Sequence, residues 1–150
     1  MNRIKSLQLE LTKIMTGLNF VTVFELVELG FAKSESELWT LLEKVFEEEL
    51  TADSKLEQIN TVDLFDEISE AFMYRGDRHS GFQVSGQMEK LLNELQQEYK
   101  SELRLIIKRS QKYLYLSNLR GNKYYPVFWD YNLIFEIENK WFFIFGLSSD

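Results

Sequence analysis

The chain has 150 residues, 45% of them hydrophobic, and a formal net charge of −7, which is the size and composition of one globular domain over residues 1–150. It contains no cysteine, which excludes disulfides, thiol nucleophiles and thiolate metal sites. Glu10 and Lys13 interrupt the N-terminal region, and no apolar run reaches the ~18 residues of a membrane span. We therefore expect a cytoplasmic protein with no signal peptide and no membrane partner.

The acidity is concentrated in one segment. Between Ser34 and Glu70 there are twelve acidic and two basic residues, a net charge of −10. Residues 98–150 carry eight basic and six acidic residues, a net charge of +2. A regional negative field repels a nucleic-acid backbone and attracts a basic partner. The alternative is a solvated helical surface that keeps the protein soluble.

Apolar residues at helical spacing predict a first amphipathic helix over residues 2–17. The pattern Thr22–Glu25 is that of a capping box and predicts a short helix that Gly30 ends. A second capping box, Ser34–Glu37, opens a helix predicted over residues 34–50. The outer face of this helix carries Glu43, Lys44, Glu47 and Glu48.

Residues 51–59 are polar and predict a loop, and a further apolar stripe predicts a helix over residues 61–74. Residues 74–86 include three glycines and predict another loop. Ser85 can cap the next helix, which continues to about Tyr99. About five helices are therefore expected in the first two thirds of the chain.

After these helices the apolar period becomes that of strands. The strand candidates are residues 103–108, 112–116 and 124–129, with turns predicted at residues 118–122 and 130–132. Together with a C-terminal hairpin they form an antiparallel β-meander of about four to five strands. The prediction is an α+β fold in which the helices pack on this meander.

The C-terminal hairpin, Leu133–Ile137 and Trp141–Phe145, allows two registers. A two-residue turn would place Glu136 on the face of the aromatic residues of the second strand. A three-residue loop over residues 138–140 turns Glu136 away. One face then holds Leu133, Phe135, Ile137, Trp141, Phe143 and Phe145. A shift of one residue exchanges the two faces, and we favour the three-residue loop because it separates the charge from the apolar face.

Residues 113–145 contain twelve of the 22 aromatic residues, more than one face of a sheet needs. Most of them are expected to fill the interface between sheet and helices. Those that flank predicted turns or Pro126 are candidates for an exposed binding patch, since Tyr and Trp are enriched among binding hot spots. These candidates are Tyr124, Tyr125, Trp129 and Tyr131.

No motif for catalysis, metal binding or cofactor binding stands out. His79 is the only histidine, and Asp77 could orient it as a general base, but neither a nucleophile nor a second proton carrier accompanies it. There is no His pair and no calcium-loop pattern. A helix-turn-helix over residues 22–50 would present mainly carboxylates to DNA. We therefore expect neither an enzyme nor a direct nucleic-acid binder, and no metal or cofactor.

The C-terminal sequence Lys140–Asp150 follows the segment Tyr124–Val127 in a small, acidic, cysteine-free α+β chain. This profile resembles the immunity proteins of bacterial polymorphic-toxin and contact-dependent growth inhibition systems. The resemblance implies a cytoplasmic protein that binds one cognate toxin domain and blocks its active site or substrate surface. Many such toxins are nucleases with basic surfaces. The alternative is an acidic regulatory or adaptor module, for example a phage- or host-encoded inhibitor of a nucleic-acid enzyme.

In this interpretation acidic helices steer the basic partner and aromatic side chains slow its dissociation. The acidic candidates for partner binding are Glu43, Glu47, Glu48, Asp53, Asp63, Asp66, Glu67 and Glu70. The aromatic candidates are the four residues of the exposed patch named above. The oligomeric state stays open, because an exposed aromatic edge could also serve a homodimer.

Overall fold

A computed structural model describes residues 1–76, 79, 81–119 and 127–149. These residues form an α+β fold with four helices and five strands, one helix fewer than predicted. In chain order the elements are α1 (Asn2–Ile14), β1 (Val21–Phe31), α2 (Glu35–Phe46), β2 (Lys55–Glu57), α3 (Thr61–Met73), α4 (Gln87–Arg109), β3 (Lys112–Ser117), β4 (Val127–Ile137) and β5 (Lys140–Ser149).

The five strands form one antiparallel sheet in the order β1-β5-β4-β3-β2. Strands β3, β4 and β5 form an antiparallel C-terminal meander, as predicted, but it has three strands where four to five were expected. The two strands from the N-terminal half of the chain lie outside it, β1 against β5 and β2 against β3. In the part of the chain that the structure describes, β1 and β2 are therefore the two edges of the sheet.

Residues 21–31 are a strand, so the prediction of a short helix there was wrong, and with it the helix-turn-helix alternative. Thr22, Phe24 and Leu26 are buried, and the residues between them are more exposed. This period of two and the β-branched residues suit a strand. The capping pattern at Thr22–Glu25 is a local preference, which pairing with β5 along most of its length overrides.

Helix α4 continues to Arg109, so the strand predicted over residues 103–108 was also wrong. Its buried face extends through Leu103, Ile106 and Ile107, which keep a spacing of three and four residues. Lys108 and Arg109 occupy the last turn, where positive charge favours the helix dipole.

The C-terminal hairpin has a two-residue turn, so the preference for a three-residue loop was wrong. Ile137 pairs with Lys140, and Glu136 pairs with Trp141 on the same face. The turn residues Glu138 and Asn139 have φ values of 53° and 63°, as the common two-residue hairpin turn requires. The predicted turn at residues 130–132 lies inside β4, while the helices predicted at 2–17, 34–50 and 61–74 and the strand at 112–116 are confirmed with small shifts.

Helices cover both faces of the sheet. The hairpin register was predicted by turning Glu136 away from an apolar face, and this criterion failed because both faces are apolar. Helices α1, α3 and α4 pack on one face, where the strands contribute Phe24, Leu26, Tyr131, Leu133, Phe135 and Ile144. Helix α2 packs on the other face, over Leu114, Leu116, Ile134, Trp141, Phe143, Phe145 and Leu147.

Gly146 allows a close approach of aromatic rings in the first of these layers. A Cβ atom at this position would lie 2.5 Å from Cε1 of Tyr131 and 2.8 Å from Cδ1 of Phe24. Tyr131 is fully buried, and its hydroxyl is hydrogen-bonded to the hydroxyl of Tyr99 on α4. Burial raises the pKa of both phenols, so the pair stays neutral and joins the sheet to α4.

Replacing Glu138 by Asn should raise the free energy of unfolding by about 1 kcal/mol, because Asn adopts positive φ with less steric strain than Glu. The matched control is Glu138→Ala, which removes the same charge without this conformational advantage. Urea denaturation of the three proteins measures the effect. Equal stability of the Asn and Ala variants would contradict the two-residue turn.

The Tyr99–Tyr131 pair should show strong coupling in a double-mutant cycle. Tyr99→Phe leaves the buried Tyr131 hydroxyl without its partner and should lower the free energy of unfolding by about 1–3 kcal/mol. The double Phe variant removes both hydroxyls and should be destabilised by less than the sum of the two single variants. Additive effects in urea denaturation would show that the hydroxyls do not depend on each other.

Candidate protein-binding surface

Helix α2 begins at the predicted capping box. The backbone N–H of Glu37 donates to Oγ of Ser34 at 3.2 Å, and the backbone N–H of Lys33 donates to Oε2 of Glu37 at 2.7 Å. Leu38, Leu42 and Phe46 are buried against the sheet. The cap and the buried stripe together fix which side of α2 faces solvent.

The solvent side of α2 is acidic at its C-terminal end. Glu43, Glu47 and Glu48 are all exposed, as predicted, and none of them takes part in an ion pair among the described residues. Lys44 is the single base of the last turn. Val45 is 42% exposed among these carboxylates. This end of the helix therefore combines negative charge with an apolar contact point.

The loop after α2 is held in place by Asn118, which follows β3. The hydroxyls of Thr51 and Ser54 donate to the carbonyl of Asn118 at 3.1 and 2.9 Å. In return, Nδ2 of Asn118 donates to the carbonyl of Asp53 at 3.1 Å. The exposed carboxylate of Asp53 is thus carried on a backbone with a defined position.

Asp63 has a structural role at the start of α3. Its backbone N–H donates to Oδ1 of the N-cap residue Asn60 at 2.9 Å, and its carboxylate accepts a hydrogen bond from Nδ2 of the same residue. A negative charge here also favours the helix dipole. Asp63 is exposed as predicted, but capping is a sufficient reason for an acid at this position.

Basic residues of α4 lie beside the acids of α3. Asp66 shares a groove of about 510 Å³ with Arg104 and Lys108. The guanidinium of Arg104 also lies 4.3 Å from the centre of the Phe65 ring. The negative field of α3 is therefore partly offset by α4, in contrast to that of α2.

Glu67 is exposed to solvent, but its carboxyl lies beside Tyr115, which takes part of its hydration. Desolvation raises the pKa of its carboxyl, the Tyr115 hydroxyl acts against this by hydrogen bonding, and the nearby negative charges of Asp130, Asp63 and Glu70 raise it further. Burial together with the Glu67 charge raises the pKa of Tyr115, which keeps the phenol neutral.

The predicted acids do not form one flat surface. Helices α2 and α3 pack on opposite faces of the sheet, and the chain between them passes around the sheet edge at β2. We call the acids around this edge the acidic rim: Glu43, Glu47, Glu48, Asp53, Asp63, Asp66, Glu67 and Glu70. A partner that touched all of them would have to wrap around β2.

The prediction that Tyr131 belongs to an exposed aromatic patch was wrong. Tyr131 was expected to flank a turn, but β4 runs through it and its ring lies in the core opposite Gly146. Trp129 is half-buried, with its ring parallel to that of Tyr131 at 6.5 Å. Tyr124 and Tyr125 lie outside the described residues. Their binding role stays a prediction.

Two exposed aromatic residues that stack on each other were not among the predicted candidates. Tyr74 and Phe128 are 38% and 39% exposed and stack on each other with ring centres 5.4 Å apart. Both also stack on the buried ring of Phe20. Tyr74 directly follows α3 and Phe128 lies near the start of β4. The two residues are far apart along the chain, and neither belongs to a helical or strand periodicity that would indicate its neighbours. The sequence therefore gives no signal that they stack.

The described residues contain no group of three His, Asp or Glu side chains that could hold a metal ion. His79 is exposed in the loop before α4. A cavity of about 640 Å³ lies beside the N-terminus of α2. Lys33, Lys112, Glu35 and Glu136 line it together with Trp141, a mixture of charges that defines no reaction. No helix among the described residues has the length and apolar character to cross a bilayer.

Comparisons of the chain with protein-family models, with curated proteins and with solved structures gave no match. The surface chemistry of the chain itself must therefore carry a functional hypothesis.

The raised pKa of Glu67 gives a stability prediction with a definite sign. Its charged form is less favourable in the folded than in the unfolded state, so it lowers stability above the folded pKa and ceases to do so below the unfolded pKa. Glu67→Gln should therefore raise the free energy of unfolding at pH 7, and the gain should shrink as the pH falls below the ordinary Glu range. Urea denaturation across pH measures it, with Glu43→Gln, an exposed acid on α2, as the control. A gain that did not change with pH would contradict the desolvation of Glu67.

Proposed function

We propose that this chain is an immunity-type protein, which binds a basic toxin domain in the cytoplasm and blocks its active site or substrate surface. The observation that supports the proposal most directly is the C-terminal end of α2. There Glu43, Glu47 and Glu48 are exposed, without ion pairs among the described residues, around the apolar side chain of Val45.

The acids serve such a complex in two stages. Before contact, the net negative charge of the acidic rim raises the rate of encounter with a basic surface. After contact, Lys or Arg side chains of the partner pair with the carboxylates while Val45 supplies apolar area. A toxin that acts on nucleic acid needs basic residues at its substrate surface, so an acidic protein bound there excludes the substrate.

The hydrogen bonds that hold this region favour tight binding. Asn118 anchors the loop with Asp53, and the capping box fixes the start of α2. A partner therefore loses little free energy in ordering the backbone of the surface. The acids of α3 contribute less in this proposal, because Arg104 and Lys108 lie beside Asp66.

The second candidate is an acidic regulatory or adaptor module that inhibits a nucleic-acid enzyme of a phage or host. The same exposed carboxylates would serve it, since such enzymes also carry basic surfaces. Gene order separates the two: an immunity gene lies directly after the gene of a large toxin, whereas a regulatory module has no such neighbour.

Neutralising the α2 acids should slow association with the toxin domain encoded directly upstream, prepared in inactive form. The triple variant Glu43→Gln, Glu47→Gln and Glu48→Gln should lower the association rate constant about tenfold at low salt. The control with the same change of charge is Asp66→Asn, Glu67→Gln and Glu70→Gln on α3, which should lower it less. Stopped-flow kinetics at low and high salt measure both, and thermal unfolding checks that the variants are folded.

Two results would contradict this interface. An association rate that does not depend on salt would remove the steering role of the acids. Equal loss of rate in the α2 and α3 variants would show that the bases of α4 do not offset the α3 acids. Failure of the upstream domain to bind at all would remove the immunity proposal.

A further inference from the structure

Strand β1 presents hydrogen-bonding groups on its outer side. It is a strand of eleven residues, and among the described residues it pairs with β5 alone, which makes it an edge of the sheet. The backbone N–H of Thr22 donates to Oγ1 of Thr16 at 3.5 Å and so points away from β5. Because backbone groups alternate along a strand, those of Phe24 and Leu26 point outward too. Within the described part of the chain no backbone bond from outside the β1–β5 pair reaches them.

A groove runs alongside this edge. It has a volume of about 410 Å³ and lies between α1 and β1. Its lining consists of Lys5, Gln8, Leu9 and Thr12 on α1 and of Val23, Phe24, Glu25 and Leu26 on β1. Leu9 is 57% exposed at its wall. A chain laid along β1 would therefore meet the apolar side chain of Leu9 on the α1 side, flanked by the polar side chains of Lys5, Gln8 and Thr12.

The opposite side of the edge carries a negative charge. Glu25 is exposed and pairs across the sheet with Phe145, which belongs to the α2 layer. It forms no ion pair among the described residues, whereas Glu28 is bound to Lys140 at 2.9 Å. An added strand would thus have the exposed Leu9 beside one of its faces and the carboxylate of Glu25 beside the other.

A second copy of this chain fits the edge poorly. In a two-fold antiparallel pairing centred on Glu25, the two Glu25 side chains lie directly opposite each other. Centring on Phe24 or Leu26 instead leaves them diagonal, still within roughly 8 Å on the same face. Like charges at these positions destabilise a strand pair. A basic side chain opposite Glu25 has the reverse effect.

We propose that β1 accepts an extended segment of a partner protein as a sixth strand of the sheet. The segment alternates apolar residues, which face Leu9 and α1, with Lys or Arg residues, which face Glu25. This surface is separate from the acidic rim, because β1 and β2 are opposite edges of the sheet. Main-chain hydrogen bonds supply affinity in such strand addition, and the alternating side chains supply specificity.

The usable length of the edge is short. At one end, a bulge shifts the pairing register between Glu28 and Gly30. At the other end, the backbone N–H of Thr22 already donates a hydrogen bond to Thr16. Bulges and charges of this kind protect edges from uncontrolled pairing. The open part is Val23–Val27, so a segment of about five residues fills it.

The test uses a fluorescently labelled seven-residue peptide that alternates valine and lysine. We expect saturable binding by fluorescence anisotropy and at least tenfold slower hydrogen exchange of the Phe24 and Leu26 amides. Two control peptides separate the contributions. One carries N-methyl groups on the alternate residues that would bond to β1, and the other has glutamate in place of lysine; both should lose most of the binding.

Variants of the protein complete the test. Glu25→Lys should weaken binding of the lysine peptide at least tenfold, and the matched control Glu35→Lys, at the start of α2, should leave it unchanged. Equal binding of the N-methylated peptide, or equal weakening by the two variants, would overturn the proposal in favour of non-specific charge attraction. Absence of saturable binding would also overturn it. The proposal would also be overturned if analytical ultracentrifugation showed a dimer that the peptide dissociates, because a second copy of the chain would then be the natural occupant of the β1 edge.

Discussion

The pairing of β1 with β5 is the interaction on which the rest of the structure depends. It joins residues 21–31 to residues 140–149, the longest separation along the chain of any strand pair in the sheet. With β1 in place, β5 becomes an interior strand. Its apolar side chains point to both faces, Ile144 to one and Phe143 and Phe145 to the other, so both faces need cover. Helices α1, α3 and α4 supply it on one face and α2 on the other. Within this pairing Gly146 lies opposite Phe24 and leaves the space in which Tyr131 reaches Tyr99.

The same pairing decides where the charges lie. Because β1 and β2 are opposite edges, α2 must cross the sheet between them, and its C-terminal end arrives at the β2 edge. Its acids therefore project on the side where, among the described elements, α2 is the one helix that packs. The acids of α3 emerge on the opposite face, next to the long helix α4 with Arg104 and Lys108. One acidic segment of the sequence thus becomes two surfaces with different electrostatic environments.

The sequence was sufficient where local signals agree with the tertiary structure. The capping box Ser34–Glu37 and the apolar stripe behind it gave α2 correctly, since cap and stripe specify the same helix. Sequence-based prediction failed where a segment that is distant along the chain determines the local structure. Thr22–Glu25 carries a helical cap, yet β5 makes it a strand. The hairpin register could be chosen correctly only by knowing whether helices cover one or both faces of the sheet. The sequences of β4 and β5 do not contain that information. Tyr131 was placed at a turn for the same reason, and the side-by-side position of α3 and α4 had no local signal.

The acids at the end of α2 are also unfavourable for the helix that carries them. The C-terminus of a helix holds a partial negative charge, which basic residues stabilise. Here Glu43, Glu47 and Glu48 surround that end against a single base, Lys44, and the turn that follows the helix, residues 47–49, consists of three acids and no base. In α4 the corresponding turn ends in Lys108 and Arg109, and in α3 Asp63 lies at the N-terminus, where an acid is favourable. Local rules are commonly broken where a surface serves another purpose. The departure at α2 therefore supports a binding role for this group of acids, whereas for Asp63 the fold alone explains the charge.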